Sequence, residues 1–310
     1  MLSSSDMAKI EKSIARHGAK TVALQVPEGL KSDVCSIARQ IEKLSVDVLI
    51  FADPCFGACD VSDVLMERAG CDLAVHVGHS EMVRKLSIPV VYVEYYSSTD
   101  AAGLLEREMK KLDGFKSISL VTTIQHIGQI NSVSEVLLKF KKKVYVGKPS
   151  VAKYPGQVLG CDQSAALYDI DKVDCVLYFG TGRFHALGIA RRTDKPVFLL
   201  SLEDGKMYNL QKEHDVYLRK KIILKHKFEC SKRVCIVASS KAGQMNKSVI
   251  RIKKKIEKMG KCVFVAVMDA IEPDKLLGMD YDIIVNTACP RIEDDVVFRK
   301  PVINVADVFE

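Results

Sequence analysis

The sequence predicts an α/β protein with three homologous domains, each built on a parallel β-sheet. Short, continuous runs of valine, isoleucine and leucine alternate along the chain with helical patterns that have one apolar face. Such runs are typical of strands in a parallel sheet that helices cover on both faces. Two short sequence phrases also recur in the same order at a nearly constant period, which indicates an internal triplication.

The repeated phrases define the domains. Proline and valine followed by apolar residues occur at Pro89, Pro196 and Pro301, so the repeats are 107 and 105 residues apart. The second phrase is an aspartate next to an apolar run, and it occurs at Asp72, Asp174 and Asp282. We therefore expect domains over residues 1–97, 98–204 and 205–310.

The elements of the first domain follow from the same patterns. A polar-faced helix is predicted over residues 1–18, with serines near its start as candidate caps. The apolar runs predict strands over residues 21–26, 48–52, 73–77 and 90–95, with helices over 32–44 and 61–69. A long charged helix over residues 207–227 is expected to lead into the third domain.

Composition narrows the class of protein. The chain has 310 residues, a net charge of +7 and no apolar run long enough to span a membrane. The N-terminus lacks the apolar stretch of a signal peptide, which predicts a cytoplasmic protein. Its basic runs are mixed with apolar residues at helical spacing, so we interpret them as solvated helix faces and expect no nucleic-acid partner.

The ten cysteines are unlikely to form disulfides in a reducing compartment, which leaves packing, catalysis or metal binding. Six lie inside or just before predicted elements, where we expect simple packing: Cys35, Cys71, Cys175, Cys230, Cys235 and Cys262. Four follow strands, at the edge where open parallel sheets bind ligands: Cys55, Cys59, Cys161 and Cys289.

As a metal site, these four thiols fit an iron–sulfur cluster better than zinc, while their spacing alone is also that of unrelated loop cysteines, because distant ligands leave no local signature. If the domains pack around a pseudo-threefold axis, one cysteine from each can converge on a central cluster site, and the residues alone do not choose between Cys55 and Cys59. Three thiolates would leave the fourth iron of a 4Fe–4S cluster open to a substrate. Structural zinc usually needs four ligands in close pairs, and the Cys55–Cys59 pair has no second pair to match it.

Several phrases resemble the archaeal diphthamide synthases, the 2-(3-amino-3-carboxypropyl)histidine synthases. They lie at residues 25–30, 53–60, 77–80, 160–162, 182–188 and 286–291, so the resemblance covers essentially the whole chain. It implies a homodimer of triplicated α/β domains whose cluster ligands are Cys59, Cys161 and Cys289. The resemblance thus implies that the cluster ligand of the first domain is Cys59 and not Cys55.

The resemblance also implies a reaction. A reduced 4Fe–4S cluster, which needs an electron donor, would cleave S-adenosylmethionine between the sulfur and the methionine γ-carbon. The 3-amino-3-carboxypropyl group would be transferred to C2 of a histidine of translation elongation factor two, leaving 5′-methylthioadenosine. This is the first step of diphthamide formation, and the chain lacks the C-x-x-x-C-x-x-C loop of ordinary radical S-adenosylmethionine enzymes.

S-adenosylmethionine needs partners for its carboxylate, ammonium, ribose and adenine. Arginines after strands could pair with the carboxylate, Glu28 could meet the ammonium or ribose, and glycines could let backbone amides approach. The candidates are Glu28, Gly29, His79, Gly180, Gly182, Arg183, His185 and Arg291. Glu28 could equally cap the following helix, and both histidines could be structural. The Gly180-x-Gly182 pair also resembles a nicotinamide site, but His185 replaces its third glycine.

Two alternatives have the same sequence features. Quinolinate synthase has a similar layout of three α/β units with one cysteine each, and its open iron would act as a Lewis acid. A non-catalytic, cluster-bearing partner subunit would need no S-adenosylmethionine site. Formation of methylthioadenosine by the reduced protein separates the first alternative from diphthamide synthesis, and modification of the elongation factor by the isolated chain separates the second.

Overall fold

In a computed structural model the chain forms three β-sheets, and the structure describes residues 2–83, 85–294 and 298–309. By its internal contacts the chain divides into two units. The first comprises residues 1–98 with residues 151–153 and 241–243, and the second comprises the rest of the chain. Among the described residues, no helix combines the length and the apolar character needed to cross a membrane.

The first sheet lies in the first unit and is fully parallel, with the strand order β2-β1-β3-β4. The residues of β3 are all buried, as expected for a strand in the centre of a covered sheet. The strands are β1 (Thr21–Gln25), β2 (Asp47–Phe51), β3 (Leu73–Val77) and β4 (Val90–Val93), and the helices are α1 (Ser4–His17), α2 (Val34–Glu42) and α3 (Asp63–Arg68).

The second sheet has the order β6-β5-β7-β8-β9, in which only the pairing of β9 with β8 is antiparallel among the described strands. Its strands are β5 (Ser117–Thr122), β6 (Lys143–Tyr145), β7 (Cys175–Gly180), β8 (Val197–Ser201) and β9 (Met207–Asn209). The helices are α4 (Ala101–Glu108), α5 (Ile130–Lys139), α6 (Ser164–Leu167) and α7 (Phe184–Ala190).

The third sheet is parallel and has the order β11-β10-β12-β13, which is the order of the first sheet repeated. Its strands are β10 (Arg233–Ser239), β11 (Cys262–Met268), β12 (Ile283–Asn286) and β13 (Val302–Asn304). The helices are α8 (Gln211–Cys230), α9 (Val249–Glu257) and α10 (Val305–Phe309). The predicted α/β class is confirmed, with three sheets that are parallel except for the edge strand β9.

The repeated aspartate has the same structural role in each sheet. The Asp72 carboxylate accepts the backbone N–H groups of Lys20 and Thr21 at 2.8 and 2.9 Å. Asp174 and Asp282 accept the two equivalent N–H groups before the first strand of their own sheets. These bonds fix the register of the first and third strands, and they hold the pKa of the Asp72 and Asp174 carboxyls below the usual range. The pKa of Asp282 is also lowered, first by a hydrogen bond from the Arg233 side chain and then by its backbone hydrogen bonds.

The repeated proline pairs the third and fourth strands. The carbonyl of Pro89 accepts the N–H of Ala74 at 2.9 Å, and those of Pro196 and Pro301 accept the equivalent N–H groups of β7 and β12 at the same distance. Proline has no N–H to donate, so it suits the residue just before the first residue of a strand. Both repeated phrases therefore lie where neighbouring strands of the recurring sheet begin to pair.

The predicted elements are correct in place but differ at two ends. The helix predicted from residue 32 is preceded by a 3₁₀ helix over Glu28–Asp33, which starts directly after Pro27. The long helix predicted over residues 207–227 begins only at Gln211, because residues 207–209 pair with β8 as an edge strand. That strand extends the second sheet beyond residue 204, where we placed the domain boundary.

Candidate functional site

The first candidate loop joins β2 to α3 in the first unit and carries Cys55 and Cys59. Cys55 is buried, with 2% of its surface exposed, whereas Cys59 is half-buried. Burial, together with the nearby charge of Asp60, raises the pKa of the Cys55 thiol to about 12. Cys55 is therefore a protonated, covered thiol at neutral pH, and Cys59 is the more accessible of the two.

A buried polar network lies at the ends of β1 and β3. The Nδ1 atom of His76 lies 3.1 Å from Oε1 of Gln25, and its Nε2 atom lies 2.9 Å from Nδ1 of His79. Burial lowers the pKa of His76 to about 3 and that of His79 to about 4, so both imidazoles are neutral at pH 7. Gln25 also donates to the backbone carbonyl of Asp60 at 3.0 Å, which connects this network to the Cys59 loop.

The same network approaches the geometry of a metal site. The ligand atoms of Cys55, His76 and His79 all lie within 4.8 Å of one another. However, both ring nitrogens of His76 already have hydrogen-bond partners, and Cys55 contacts the carbonyl of Gly57. We interpret these residues as a structural network that orients His79, which sequence analysis had proposed as a cofactor contact.

The carboxylate of Asp60 anchors the Cys59 loop. It is almost fully buried, with 1% exposure, and forms an ion pair with Lys241. It also accepts the N–H of Phe56 at 3.2 Å, which closes the turn that contains Cys59. A Cβ atom on Gly243 would lie 2.3 Å from Cα of Cys59, so residues 241–243 pack directly against the backbone of the cysteine.

Glu28 and Gly29 open the 3₁₀ helix after β1. Glu28 is more than half exposed and forms an ion pair with Lys31 at 2.6 Å. Pro27 occupies the N-cap position, so Glu28 lies in the first helical turn and caps no helix. No described atom lies within 4 Å of a Cβ built on Gly29, which leaves its backbone accessible.

In the second unit, Cys161 is exposed on a short loop before α6. The backbone groups of Leu159 and Asp162 bond to each other at 2.8 and 3.2 Å, which closes this loop. The side chain of Gln163 donates to the carbonyls of Leu159 and Gly160 at 3.2 and 2.8 Å. The loop is therefore preorganised around Cys161.

Phe184 connects the Cys161 loop to the Cys289 loop within the second unit. A Cβ atom on Gly160 would lie 2.3 Å from the Phe184 ring, so the loop backbone packs against that ring. The Arg291 guanidinium lies over the same ring, 5.7 Å from its centroid. His185 is next to Phe184 and stacks on Tyr178 with ring centroids 6.1 Å apart. The structure thus brings together two loops that are far apart along the chain.

Gly180, Gly182 and Arg183 follow β7, as predicted. Gly182 has a left-handed φ of +67°, and its N–H donates to the Glu203 carboxylate at 3.2 Å. Arg183 forms an ion pair with Glu213 of α8, and its guanidinium lies 5.5 Å from the centroid of the Tyr208 ring. Arg183 therefore already has a carboxylate partner in the folded chain.

Two asparagines hold the Cys289 loop after β12. Asn286 is buried, donates to the carbonyl of Cys289 at 2.8 Å and accepts the N–H of Ala288 at 3.0 Å. It also donates to Oδ1 of Asn304, whose side chain donates in turn to the carbonyl of Pro290 at 3.2 Å. Cys289 itself is half-buried.

The six cysteines expected to pack do so only in part. Cys71, Cys175 and Cys235 are buried, and burial raises the pKa of each thiol. The expectation is wrong for Cys35, Cys230 and Cys262, which are exposed. Cys35 and Cys230 lie on exposed positions of α2 and α8, and Cys262 begins an edge strand, so position along an element did not determine burial.

Sequence analysis assigned no role to Gln25, Asp60, His76, Lys241, Gly243 or Asn304. Gln25 and Asp60 lay inside phrases that carried the resemblance, and Gly243 belongs to a Gly-Gln pair that also follows the first strand of the second sheet. Their presence in these phrases and in this pair is the sequence signal that could have identified them. Lys241 pairs with Asp60 and Asn304 bonds to Asn286, and each contact joins residues that are distant along the chain. No local sequence pattern predicts contacts of this kind.

The chain is similar to proteins of one known family along almost its whole length. The sequence profile of the diphthamide synthesis protein family matches residues 26–309. The 2-(3-amino-3-carboxypropyl)histidine synthase of Pyrococcus horikoshii is 32% identical over 99% of this chain and 90% of its own length. That of Methanocaldococcus jannaschii is 29% identical over 91% of this chain and 81% of its own. The crystal structure of Dph2 from Pyrococcus horikoshii with a 4Fe–4S cluster superimposes with a TM-score of 0.90 at 30% identity, covering 97% of this chain and 88% of that one.

Proposed function

Because this chain belongs to the diphthamide synthesis protein family, we propose that it is a 2-(3-amino-3-carboxypropyl)histidine synthase. It transfers the 3-amino-3-carboxypropyl group of S-adenosylmethionine to C2 of a histidine of translation elongation factor two, the first step of diphthamide biosynthesis. The observation that carries the proposal is similarity along 99% of the chain to a synthase of that name.

We propose Cys59, Cys161 and Cys289 as the ligands of a 4Fe–4S cluster. The donor set fits, because these thiols are half-buried or exposed on loops beyond strands, while the alternative, Cys55, is buried. Packing of Phe184 between the Cys161 and Cys289 loops supports the assignment of two of the three. When bound, the cluster supplies the electron for reductive cleavage of the cosubstrate to 5′-methylthioadenosine.

The residues around these loops would bind and orient S-adenosylmethionine. We propose Arg291 as the partner for the methionine carboxylate, because it lies on the Cys289 loop and over the ring that also packs against the Cys161 loop. Glu28 remains a candidate for the ammonium or the ribose. His79, held by the buried His76, offers a neutral imidazole, and Gly29, Gly180, Gly182 and His185 remain candidate contacts at the carboxyl ends of strands.

The proposal extends to assembly and location. We propose a homodimer, supported by the resemblance to the archaeal family, and a cytoplasmic location, where the elongation factor acts. An external electron donor is required to reduce the cluster. Sedimentation velocity of the purified protein tests the homodimer, and a monomer at micromolar concentration would contradict it.

The function is tested with anaerobically purified protein, reduced chemically and incubated with S-adenosylmethionine and elongation factor two. We expect stoichiometric methylthioadenosine and a mass increase of one aminocarboxypropyl group on a single histidine. A reduced, cluster-containing protein that forms no methylthioadenosine would refute the proposal. Modification of the factor by the isolated chain would also exclude the role of a non-catalytic partner.

The cluster ligands are tested with single alanine variants analysed for iron, sulfide and electron paramagnetic resonance. Cys59→Ala, Cys161→Ala and Cys289→Ala should lose the intact cluster. Cys55→Ala should retain it, and Cys35→Ala is a control for an exposed thiol outside the candidate loops. Loss of the cluster in Cys55→Ala but not in Cys59→Ala would reverse our choice between these two residues.

The cofactor contact is tested with Arg291→Ala. Loss of a charge-assisted hydrogen bond should weaken S-adenosylmethionine binding about tenfold to a hundredfold. Arg39→Ala, on the exposed face of α2, is the control. Unchanged affinity in both Arg291→Ala and Arg183→Ala would remove both arginines from the site.

A further inference from the structure

We infer that Asp60, Lys241 and Gly243 are positioning residues for Cys59, and that together they fix where its sulfur is presented to the metal. The inference deepens the proposed function and rests on it in one respect, the assignment of Cys59 as a cluster ligand. The three residues are called the Cys59 support below. They lie in the first unit, although Lys241 and Gly243 come from the segment after β10.

The carboxylate of Asp60 is the centre of the support. With 1% exposure it is removed from water, and its charge is neutralised by the ammonium of Lys241, whose side chain is 13% exposed. Its second oxygen accepts the N–H of Phe56, and its own N–H donates to the carbonyl of Gly57 at 3.0 Å. The residue next to Cys59 is therefore tied at its side chain and at its backbone.

A buried ion pair of this kind depends on both partners. Removal of one charge leaves the other in a low-dielectric site without compensation, which is far more damaging than removal of both. Lys241→Met would remove the ammonium that pairs with the buried Asp60 carboxylate beside Cys59, which favours movement of Asp60 out of its present position. That movement would alter the turn over residues 56–60 that presents the sulfur.

Gly243 supports the cysteine by contact. A Cβ atom at this position would lie 2.3 Å from Cα of Cys59 and 2.7 Å from both its Cβ and its carbonyl oxygen. These are closely spaced backbone and Cβ atoms of a folded loop, and they have no flexible end that could move aside. Gly243→Ala must therefore displace the Cys59 loop, or residues 241–243, or both.

Gly128 provides a matched control. Like Gly243, it precedes a glutamine and follows the first strand of its own sheet. No described atom lies within 4 Å of a Cβ built on Gly128, and its φ is not in the left-handed region. Gly128→Ala therefore makes the same chemical change at the equivalent place in the repeat without pressing on a cysteine.

The experiment uses the full chain with its cluster. The readouts are the rate of iron loss to a chelator and the electron paramagnetic resonance spectrum of the reduced cluster, because residues that orient ligands typically change metal affinity about 10- to 100-fold. We expect Gly243→Ala and Lys241→Met to lose iron about 10- to 100-fold faster than the wild type, with altered spectra. Gly128→Ala should match the wild type in both.

A rescue separates positioning from general destabilisation. The double variant Asp60→Asn/Lys241→Met removes both charges, and it should lose iron more slowly than Lys241→Met alone and recover part of the wild-type spectrum. The inference is overturned if Gly243→Ala, folded by circular dichroism, keeps the wild-type spectrum and rate of iron loss, or if the double variant loses iron as fast as Lys241→Met.

The alkylation rate of Cys59 in metal-free protein distinguishes failure of this inference from failure of the proposed function. If the wild type binds no cluster, the proposed function fails. The support is then judged by whether Gly243→Ala changes the rate at Cys59 while Gly128→Ala leaves it unchanged. Equal rates in the wild type and both variants would reject the support independently of any metal.

Discussion

The guanidinium of Arg291 lies over the ring of Phe184, 5.7 Å from its centroid, and the backbone of Gly160 packs against the same ring. A single aromatic side chain therefore joins the two loops that carry Cys161 and Cys289. Its position in α7, directly after Arg183, places it beyond the end of β7.

Phe184→Ala should loosen both loops at once. The half-buried ring contributes packing to each, and we expect the free energy of unfolding to fall by about 1–3 kcal/mol, less than for a fully buried phenylalanine. Cluster content should fall more steeply than stability. Phe140→Ala, at an exposed phenylalanine after α5, is the control. Denaturant unfolding and iron analysis measure the two effects, and full cluster content in Phe184→Ala would contradict the role.

Asn286→Ala should release the Cys289 loop. Its side chain bonds to the carbonyl of Cys289 and to the N–H of Ala288, and loss of each of these partly buried hydrogen bonds costs about 0.5–1.5 kcal/mol. We expect lower stability together with faster loss of iron. Asn246→Ala, in the segment before α9, is a control for loss of an asparagine without a cysteine contact. Iron loss at the wild-type rate in Asn286→Ala would show that the loop is held by other groups.

Gly78→Ala tests a backbone requirement next to His79. Gly78 has a left-handed φ of +101°, and an added Cβ would lie 2.9 Å from the ring of Pro27. Strain of this kind costs about 1–3 kcal/mol, so the midpoint of denaturation should fall clearly. Gly29→Ala, where the structure describes no atom within 4 Å of the added Cβ, should change stability little. Equal stability of the two variants would contradict the described backbone.

Buried His76 and half-buried His79 predict a pH dependence of stability. His76 and His79 have pKa values of about 3 and about 4 in the folded protein, but they regain an ordinary value near 6.5 on unfolding. Below pH 6.5 the unfolded chain therefore binds protons that the folded chain does not, and the free energy of unfolding falls as the pH falls toward about 4. The slope is about 1.4 kcal/mol per pH unit for each histidine.

Chemical denaturation between pH 7 and pH 5 measures this slope. His79→Asn should reduce it, because one of the groups that must gain a proton is removed. His226→Asn, at an exposed histidine of α8, should leave the slope unchanged. A wild-type stability that is constant over this interval would mean that the imidazoles are not buried as described.

The sequence predicted what depends on local patterns. The strand over Leu73–Val77 was placed at its observed ends, because a continuous apolar run between an aspartate and a glycine allows little choice. The helix over Gln211–Cys230 was misplaced at its start, since Met207–Asn209 pairs with β8, and that pairing is a tertiary choice that composition does not reveal.

For the candidate site, too, the sequence predicts what depends on local patterns and misses contacts that arise only on folding. Position after a strand selects four candidate cysteines, Cys55, Cys59, Cys161 and Cys289, because ligands of open parallel sheets bind beyond the carboxyl ends of the strands. The contacts of Asp60 with Lys241 and of Gly160 with Phe184 were not predicted, because each joins residues that only the folded chain brings together. The residues alone did not choose between Cys55 and Cys59; the family resemblance favoured Cys59, and the structure adds that Cys55 is the buried thiol of the two.

The ion pair between Asp60 and Lys241 has a consequence for biosynthesis. The ribosome makes the Cys59 loop early, but the lysine that neutralises its buried carboxylate comes only after β10, late in translation. A nascent chain that has not reached Lys241 therefore lacks the cation that pairs with Asp60 in the folded protein, so the Cys59 loop acquires its final contacts only after most of the polypeptide has been made.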